Sequence, residues 1–222
     1  MELISLKYAI FVIVLLVLYY CFPKKYRWYV LLAGSMAYYV IICKWYVLFI
    51  IFTICTTYGS TIWIDKLLKK QNAIVKSHKE DWDRQTRKDY KEKGRKKRVA
   101  VMLFALLCNF GILAFLKYIP YAGELGLLLP LGISFYTFQS MGYVMDVYRE
   151  IVEPEKNFLK VALFVSFFPQ IIQGPIAIYD KLAGQLYEGH SLRLENLQKG
   201  ALLVLWGVMK KLVIADRAVN II

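Results

Sequence analysis

Charged residues are strongly segregated along this chain, and this pattern constrains the fold more than any other feature of the sequence. Residues 3–22 and 45–64 are apolar runs of 20 residues, the first with a single charge and the second with none. A helix of that length crosses a hydrocarbon core of about 30 Å, whereas a charge at mid-depth costs several kcal/mol. With further apolar runs at 28–43 and 99–116, the sequence predicts an all-α, polytopic membrane protein built as a multi-helix bundle.

The net charge of +13 comes mainly from residues 65–98, which hold 14 Lys and Arg against 6 Asp and Glu. Basic loops beside membrane spans remain on the cytoplasmic side, so this segment is predicted to be a cytoplasmic loop, as a solvated helix or coil. The N-terminus is then extracytoplasmic. Topology explains the charge without nucleic acid, which we do not expect as a partner. Attraction of an anionic lipid or an acidic donor remains open.

The rest of the chain shows no soluble domain and no linker between domains. We therefore expect one transmembrane domain over residues 1–222, with the lipid bilayer as its main partner. The four cysteines form no C-x-x-C pair and have no histidine at ligand spacing. No metal site is predicted.

The stretch from residue 130 to 176 differs from the spans because polar, Gly and Pro residues interrupt its apolar pattern. Gln139, Tyr143 and Asp146 are three and four residues apart, so they share one face of a helix. A polar stripe on an otherwise apolar helix points to the interior of a bundle. Asp146 and Arg149 are also three residues apart, which leaves a simple ion pair on the helix surface open.

A second interruption follows at residues 169–176, PQIIQGPI, after an apolar helix predicted to begin behind the N-cap Asn157 and to run to Phe168. Two prolines and a glycine free backbone groups that lipid cannot satisfy. One interpretation is a re-entrant or broken helix that lines a cavity. The other is a kinked helix whose glutamines bridge neighbouring helices.

Three motifs in order resemble one family. They are LPLGISFYTFQS running on to DVYR (residues 129–149), FFPQ followed by GPI (residues 167–176), and GVMKKLVIADR (residues 207–217). The set resembles the membrane-bound O-acyltransferases (MBOAT) of the bacterial alginate O-acetyltransferase type. The resemblance spans nearly the whole chain, from the first helix onward.

The resemblance implies a many-helix enzyme of the cell envelope that transfers an acyl group, usually acetyl, to a hydroxyl of an extracytoplasmic polysaccharide. The donor, acetyl-CoA or another activated acyl carrier, would approach from the cytoplasm as a co-substrate, with no tightly bound cofactor. Other cell-envelope acetylation proteins are possible partners. The catalytic base of the family is a histidine that neither His78 nor His190 matches. We therefore expect it beyond Ile222, and expect this segment to be an inactive N-terminal part of a longer protein.

For this chain the resemblance implies a supporting wall of the acyl-transfer tunnel. Its predicted members are Gln139, Asp146, Arg149, Gln170, Gln173, Gly174, Pro175 and Asp216. Asp216 could instead pair with Arg217 at a helix end. Three other functions remain open: D-alanyl transfer to teichoic acid within the same family, a membrane transporter subunit, and a helical scaffold without chemistry.

Overall fold

A computed structural model describes residues 6–78, 81–118, 130–215 and 217, without the side chains of residues 172, 173, 214 and 215. These residues form helices and no strand, as the sequence predicted. In chain order the helices are α1 (Leu6–Cys21), α2 (Arg27–Cys43), α3 (Val47–Ser77), α4 (Arg84–Tyr118), α5 (Ile133–Tyr148), α6 (Phe158–Ser166), α7 (Phe168–Gln173), α8 (Tyr179–Tyr187) and α9 (Leu194–Met209), the last followed by a π-helical turn at Lys210–Ala215.

Two stretches of the described residues are long and apolar enough to cross a membrane, judged by length and composition. One is the helical run Lys24–Ser77, which contains α2 and α3, and the other is α4. Large apolar side chains lie exposed on these helices, for example Leu103, Phe104 and Leu107 on α4. An exposed apolar surface of this kind needs an apolar environment.

The basic segment 65–98 is helical at both ends of its length, and the apolar helices do not stop at its boundaries. α3 has 31 residues and α4 has 35, so at a rise of about 1.5 Å per residue both exceed the roughly 30 Å of a hydrocarbon core. Residues 65–77 contain neither Gly nor Pro, so nothing local ends the helix at the charge boundary. Asp65–Lys69 and Glu92–Lys96 pairs, at 2.5 and 3.2 Å, support the exposed turns.

The chain forms two compact units, which are described separately. The larger one spans Leu31–Tyr187. At its centre α3 packs against α4, α5 and α6. Its core consists of fully buried apolar side chains, among them Ile50 and Ile54 of α3 and Val144 of α5. The candidate site lies in this unit.

The smaller unit combines Met1–Val30 with Glu188–Ile222. Arg27 ties its two parts together, because one guanidinium nitrogen donates to the carbonyl of His190 and Nε donates to the carbonyl of Phe22. The amide of His190 also lies 3.3 Å from the hydroxyl of Tyr19.

Candidate functional site

Helix α5 has the polar interior face that its sequence predicted. Gln139 and Tyr143 are buried, while Phe135 and Phe138 on other faces of the helix are exposed. Buried polar groups need hydrogen-bond partners, so the neighbouring helices must supply them. This face is therefore the natural starting point for a functional site.

Gln139 bridges α5 to the end of α6. Its Nε2 donates to the carbonyl oxygen of Phe164 over 2.8 Å. That carbonyl lies in the last turn of α6 and has lost its usual donor, because the amide of Phe168 lies instead 3.4 Å from the hydroxyl of Ser35. Gln139 thus satisfies one of the unpaired carbonyls that every helix end leaves. The contact places this part of the polar face of α5 in the interior of the helix bundle.

Tyr143 connects α5 with the loop before α6 and with α8. Its hydroxyl accepts a hydrogen bond from the amide of Glu155 over 2.8 Å, and its ring stacks on that of Tyr179 with centroids 4.1 Å apart. Beside this contact lies a cavity of about 470 Å³. Its lining residues are Val152, Glu153, Pro154, Glu155, Lys156, Tyr179, Asp180, Ala183, Gly184 and Tyr187.

Tyr187 closes one side of that cavity. Its hydroxyl donates to the carbonyl of Lys160 over 2.8 Å, and the Lys160 ammonium, which also lies 3.7 Å from a carboxylate oxygen of Glu155, is 4.8 Å from the centroid of its ring. Burial raises the pKa of Tyr187 above its usual value of 10. The hydroxyl therefore stays protonated and acts as a hydrogen-bond donor. Sequence reasoning did not single out Tyr179 or Tyr187.

Gly132 brings the first and second motifs into contact. It precedes α5 with a φ of 70°, a conformation that glycine adopts readily and other residues rarely. A Cβ at this position would lie 2.0 Å from Cγ2 of Ile171 and 2.5 Å from its carbonyl oxygen. The glycine is therefore required both for its own backbone and for the close approach of α7.

The second motif contains two breaks. α6 ends at Ser166, two residues earlier than predicted, because Phe167 leaves the helical region with a ψ of 103°. Pro169 lies in the first turn of α7 rather than in a break, a position where the missing amide proton is not needed. The chain leaves the helix again at Gly174, which is extended, and stays irregular to residue 178.

Gln170 stabilises the second break. Its Nε2 donates to the carbonyl oxygen of the exposed Pro175 over 2.7 Å. A Cβ on Gly174 would lie 3.1 Å from the Cα of Gln170, so this turn is tight. Gln173 ends α7, and its side chain lies outside the described atoms, as Asp216 lies outside the described residues.

Asp146 and Arg149 do not form the ion pair that remained open, since no contact within 4 Å joins their charged groups in the described structure. Asp146 is half-buried on the polar face of α5, and Arg149 is exposed. The ion pair at this end of α5 is a different one: Nη1 of the buried Arg98 lies 2.7 Å from Oε1 of Glu150. Sequence spacing could not indicate it, because the two residues are 52 positions apart.

The interior also contains polar side chains that sequence reasoning missed. Asn109 of α4 is 2% exposed and donates from Nδ2 to the hydroxyl of Thr56 over 3.0 Å. Its Oδ1 and the hydroxyls of Thr57 and Ser140 have no hydrogen-bond partner among the described atoms. A lone Asn in the apolar run 99–116 was the available signal.

The described groups are suited to hold and orient a neutral or anionic substrate, since they offer amide and hydroxyl hydrogen bonds. His78 is exposed and stacks on Trp82 at 4.9 Å, and His190 is exposed in the smaller unit. No group of three His, Cys, Asp or Glu side chains suited to a metal ion occurs among the described residues.

Parts of the chain are similar in sequence to curated proteins of one class. The chain is 40% identical over 89 residues to a probable alginate O-acetylase of Pseudomonas syringae pv. tomato, a match that covers 40% of this chain and 17% of the relative. It is 34% identical over 114 residues to the corresponding protein of Pseudomonas putida, covering 51% of the chain and 22% of the relative. No family profile and no solved structure matches the chain.

Another similar protein is named for a different polymer. The peptidoglycan O-acetyltransferase of Helicobacter pylori is 31% identical over 157 residues, which cover 54% of this chain and 30% of the relative. These matches confirm the resemblance to membrane-bound O-acyltransferases of the alginate O-acetyltransferase type. The matched segments span less than a third of each of these three relatives. Together with the two long apolar helices, these sequence matches indicate a membrane protein.

Proposed function

We propose that this chain is part of a membrane O-acetyltransferase that transfers an acetyl group to a hydroxyl of an extracytoplasmic polysaccharide. Its similarity to alginate and peptidoglycan O-acetyltransferases supports the reaction type. The buried polar face of α5, fixed by the hydrogen bond from Gln139 to the Phe164 carbonyl, is the observation that carries the role of this segment. The bond joins the first motif to the second, so it holds together two of the segments that carry the resemblance.

In this proposal α5 and the broken pair α6–α7 form one wall of a tunnel across the inner membrane, with the irregular residues 174–178 as a re-entrant or unwound element. Acyl transfer needs donors aimed at the developing oxyanion and a base for the acceptor hydroxyl. The amides of Gln139, Gln170 and Gln173 are proposed to position substrates or supporting groups. Neither His78 nor His190 is assigned the role of the base.

The proposal also assigns the side of the membrane from which each substrate enters. With the basic end of α3 and α4 in the cytoplasm, an activated acyl donor such as acetyl-CoA enters from that side, and the polysaccharide enters from the opposite side. The N-terminus is then extracytoplasmic. Fusion of a reporter enzyme that is active only outside the cytoplasm to the N-terminus and, separately, into residues 79–80 tests this orientation. Activity at 79–80 would contradict it.

Acetyl transfer is tested with membranes from cells that express the intact gene, supplied with radiolabelled acetyl-CoA and a hydroxyl-bearing envelope polysaccharide. We expect base-labile acetate on the polymer, and at least about a tenfold fall in kcat/KM after Gln170→Leu combined with Gln173→Leu, which corresponds to about 1.4 kcal/mol of lost interaction. Gln198→Leu, at an exposed site of α9, is the matched control. Unchanged activity of the double variant at equal membrane content would exclude the tunnel wall.

The same membranes separate the alternative functions. Transfer of D-alanine from a carrier protein in place of acetate would assign the chain to the other branch of the family. Uptake of a solute into vesicles without any acyl transfer would indicate a transporter subunit instead.

A further inference from the structure

The charged extension of α3 and α4, residues 65–77 and 84–98, encloses a cavity of about 790 Å³. We call this element the basic hairpin. The lining residues are Leu68, Gln71, Asn72, Lys88, Lys91, Glu92, Arg95, Lys96, Arg98, Val99 and Glu150. Five of these side chains are cationic and two are anionic, so the cavity wall carries a net charge of +3.

The cations are arranged as a stripe along α4. Lys88, Lys91, Arg95 and Arg98 follow one another at intervals of three, four and three residues, which places all four on one face of the helix. Like charges at such spacing repel one another. Within the described structure Lys88, Lys91 and Arg95 have no ion pair with a carboxylate. A bound anion would relieve this repulsion.

Two buried side chains of the cavity wall lack partners for part of their hydrogen-bonding capacity. Arg98 is 8% exposed, and although Nη1 pairs with Glu150, its Nε donor has no partner among the described atoms. Gln71 is 6% exposed, donates from Nε2 to the carbonyl of Lys91 over 3.1 Å, and has no donor for its Oε1. An unmade bond of a buried polar group costs about 1–3 kcal/mol. Neither of these atoms is exposed, so the groups that the cavity presents are the exposed cations Lys88, Lys91 and Arg95.

Gly94 allows the side chain of Gln71 to approach α4 closely. A Cβ at Gly94 would lie 2.3 Å from Oε1 of Gln71, so the amide lies directly against the backbone of α4. Glycine in a helix interior costs roughly 1 kcal/mol relative to alanine. In this helix it lets Gln71 of α3 reach the Lys91 carbonyl.

We propose that the basic hairpin binds an organic phosphate. Lys88, Lys91 and Arg95 would hold the phosphate, since charge-assisted hydrogen bonds from guanidinium and ammonium groups suit phosphate oxygens. A soluble phosphate ester and the headgroup of phosphatidylglycerol share this chemistry. The site stands apart from the proposed tunnel wall, and its failure would leave acetyl transfer untouched.

The test uses the purified protein in an uncharged detergent, with two probes. Glycerol 3-phosphate is titrated by phosphorus NMR, and phosphatidylglycerol is compared with phosphatidylcholine by native mass spectrometry. We expect Lys91→Gln combined with Arg95→Gln to raise Kd at least about tenfold, as the loss of one charge-assisted bond requires. Lys93→Gln combined with Lys97→Gln is the matched control, because it removes the same charge from the opposite face of α4 and should change Kd less than about twofold.

The outcomes separate the two sources and the failure of the site. If the Lys91→Gln and Arg95→Gln variant binds glycerol 3-phosphate more weakly than the control variant does, a soluble ligand is supported. If only the binding of phosphatidylglycerol is weakened in this way, a lipid headgroup is supported. Equal weakening by both double variants, or binding of neither probe, would overturn the site. Circular dichroism of each variant confirms that the helices are retained.

Discussion

The Nε2 of Gln139 lies 2.8 Å from the carbonyl oxygen of Phe164, and this hydrogen bond stabilises the point where a membrane-protein helix ends inside the bundle. α6 ends at Ser166 without a following turn that could satisfy its last carbonyls. In an apolar interior those groups need partners from other helices. The side chain from α5 provides one, so the break in the second motif depends on a residue of the first.

Gln139→Met keeps the volume of this side chain and removes its donor. We expect a loss of about 1–3 kcal/mol in unfolding free energy, because the Phe164 carbonyl is left buried and unpaired. Thermal unfolding in detergent measures it. Gln198→Met, at an exposed position of α9, should leave Tm unchanged. An equal Tm for both variants would show that the bond contributes nothing to stability.

Gly132→Ala should destabilise the protein by at least about 2 kcal/mol. Its left-handed backbone disfavours a side chain, and the new Cβ would meet the Ile171 carbonyl oxygen at 2.5 Å. Gly142→Ala is a control on the same helix, since it meets nothing within 4 Å and should be neutral or stabilising by up to about 1 kcal/mol. If both alanines behaved alike in a thermal melt, the close approach of α7 would be refuted.

Glu150→Gln should cost about 1–2 kcal/mol, because it removes the charge that faces Arg98 in a largely buried position. The Glu150 side chain is itself 53% exposed, so the effect stays below that of a fully buried pair. Chemical denaturation with and without the variant measures the difference. Glu153→Gln, at an exposed carboxylate three residues further along the chain, should have little effect on the midpoint.

Tyr187→Phe should lower stability at pH 7 by about 1 kcal/mol through the lost bond to the Lys160 carbonyl. The pKa of Tyr187 is raised by burial, so the folded state binds the proton more tightly than the unfolded state. Its contribution is complete below pH 10 and decreases as pH rises further. The difference between variant and wild type should therefore shrink above pH 10 in thermal melts recorded across pH. A constant difference would contradict the assignment.

The apolar runs predicted the helical class and the positions of α1 to α4, because a hydrophobic run of sufficient length has few alternatives to a helix in a membrane. They could not predict that α3 and α4 continue through residues 65–98. A charge boundary marks a change of solvent, whereas helix ends depend on Gly, Pro and capping groups, and residues 65–77 contain neither Gly nor Pro. Only the helical alternative for this segment fits the described residues.

Periodicity predicted the polar face of α5, and Gln139 and Tyr143 are buried on it. It could not identify their partners, since Phe164 and Glu155 come from other elements through backbone groups that any residue could supply. The break near Pro169 was predicted, but its position was wrong by two residues, because proline is compatible with the first turn of a new helix. The roles of Gln170, Gln173, Gly174, Pro175, Asp146, Arg149 and Asp216 in a tunnel stay predictions.

The bond between Gln139 and Phe164 also sets an order of events during synthesis. The amide of Gln139 is translated 25 residues before the carbonyl it will bond, a delay of about one to five seconds at roughly 5–20 residues per second. The bond therefore cannot form as α5 is made, and the first motif reaches its final packing only after α6 has followed it.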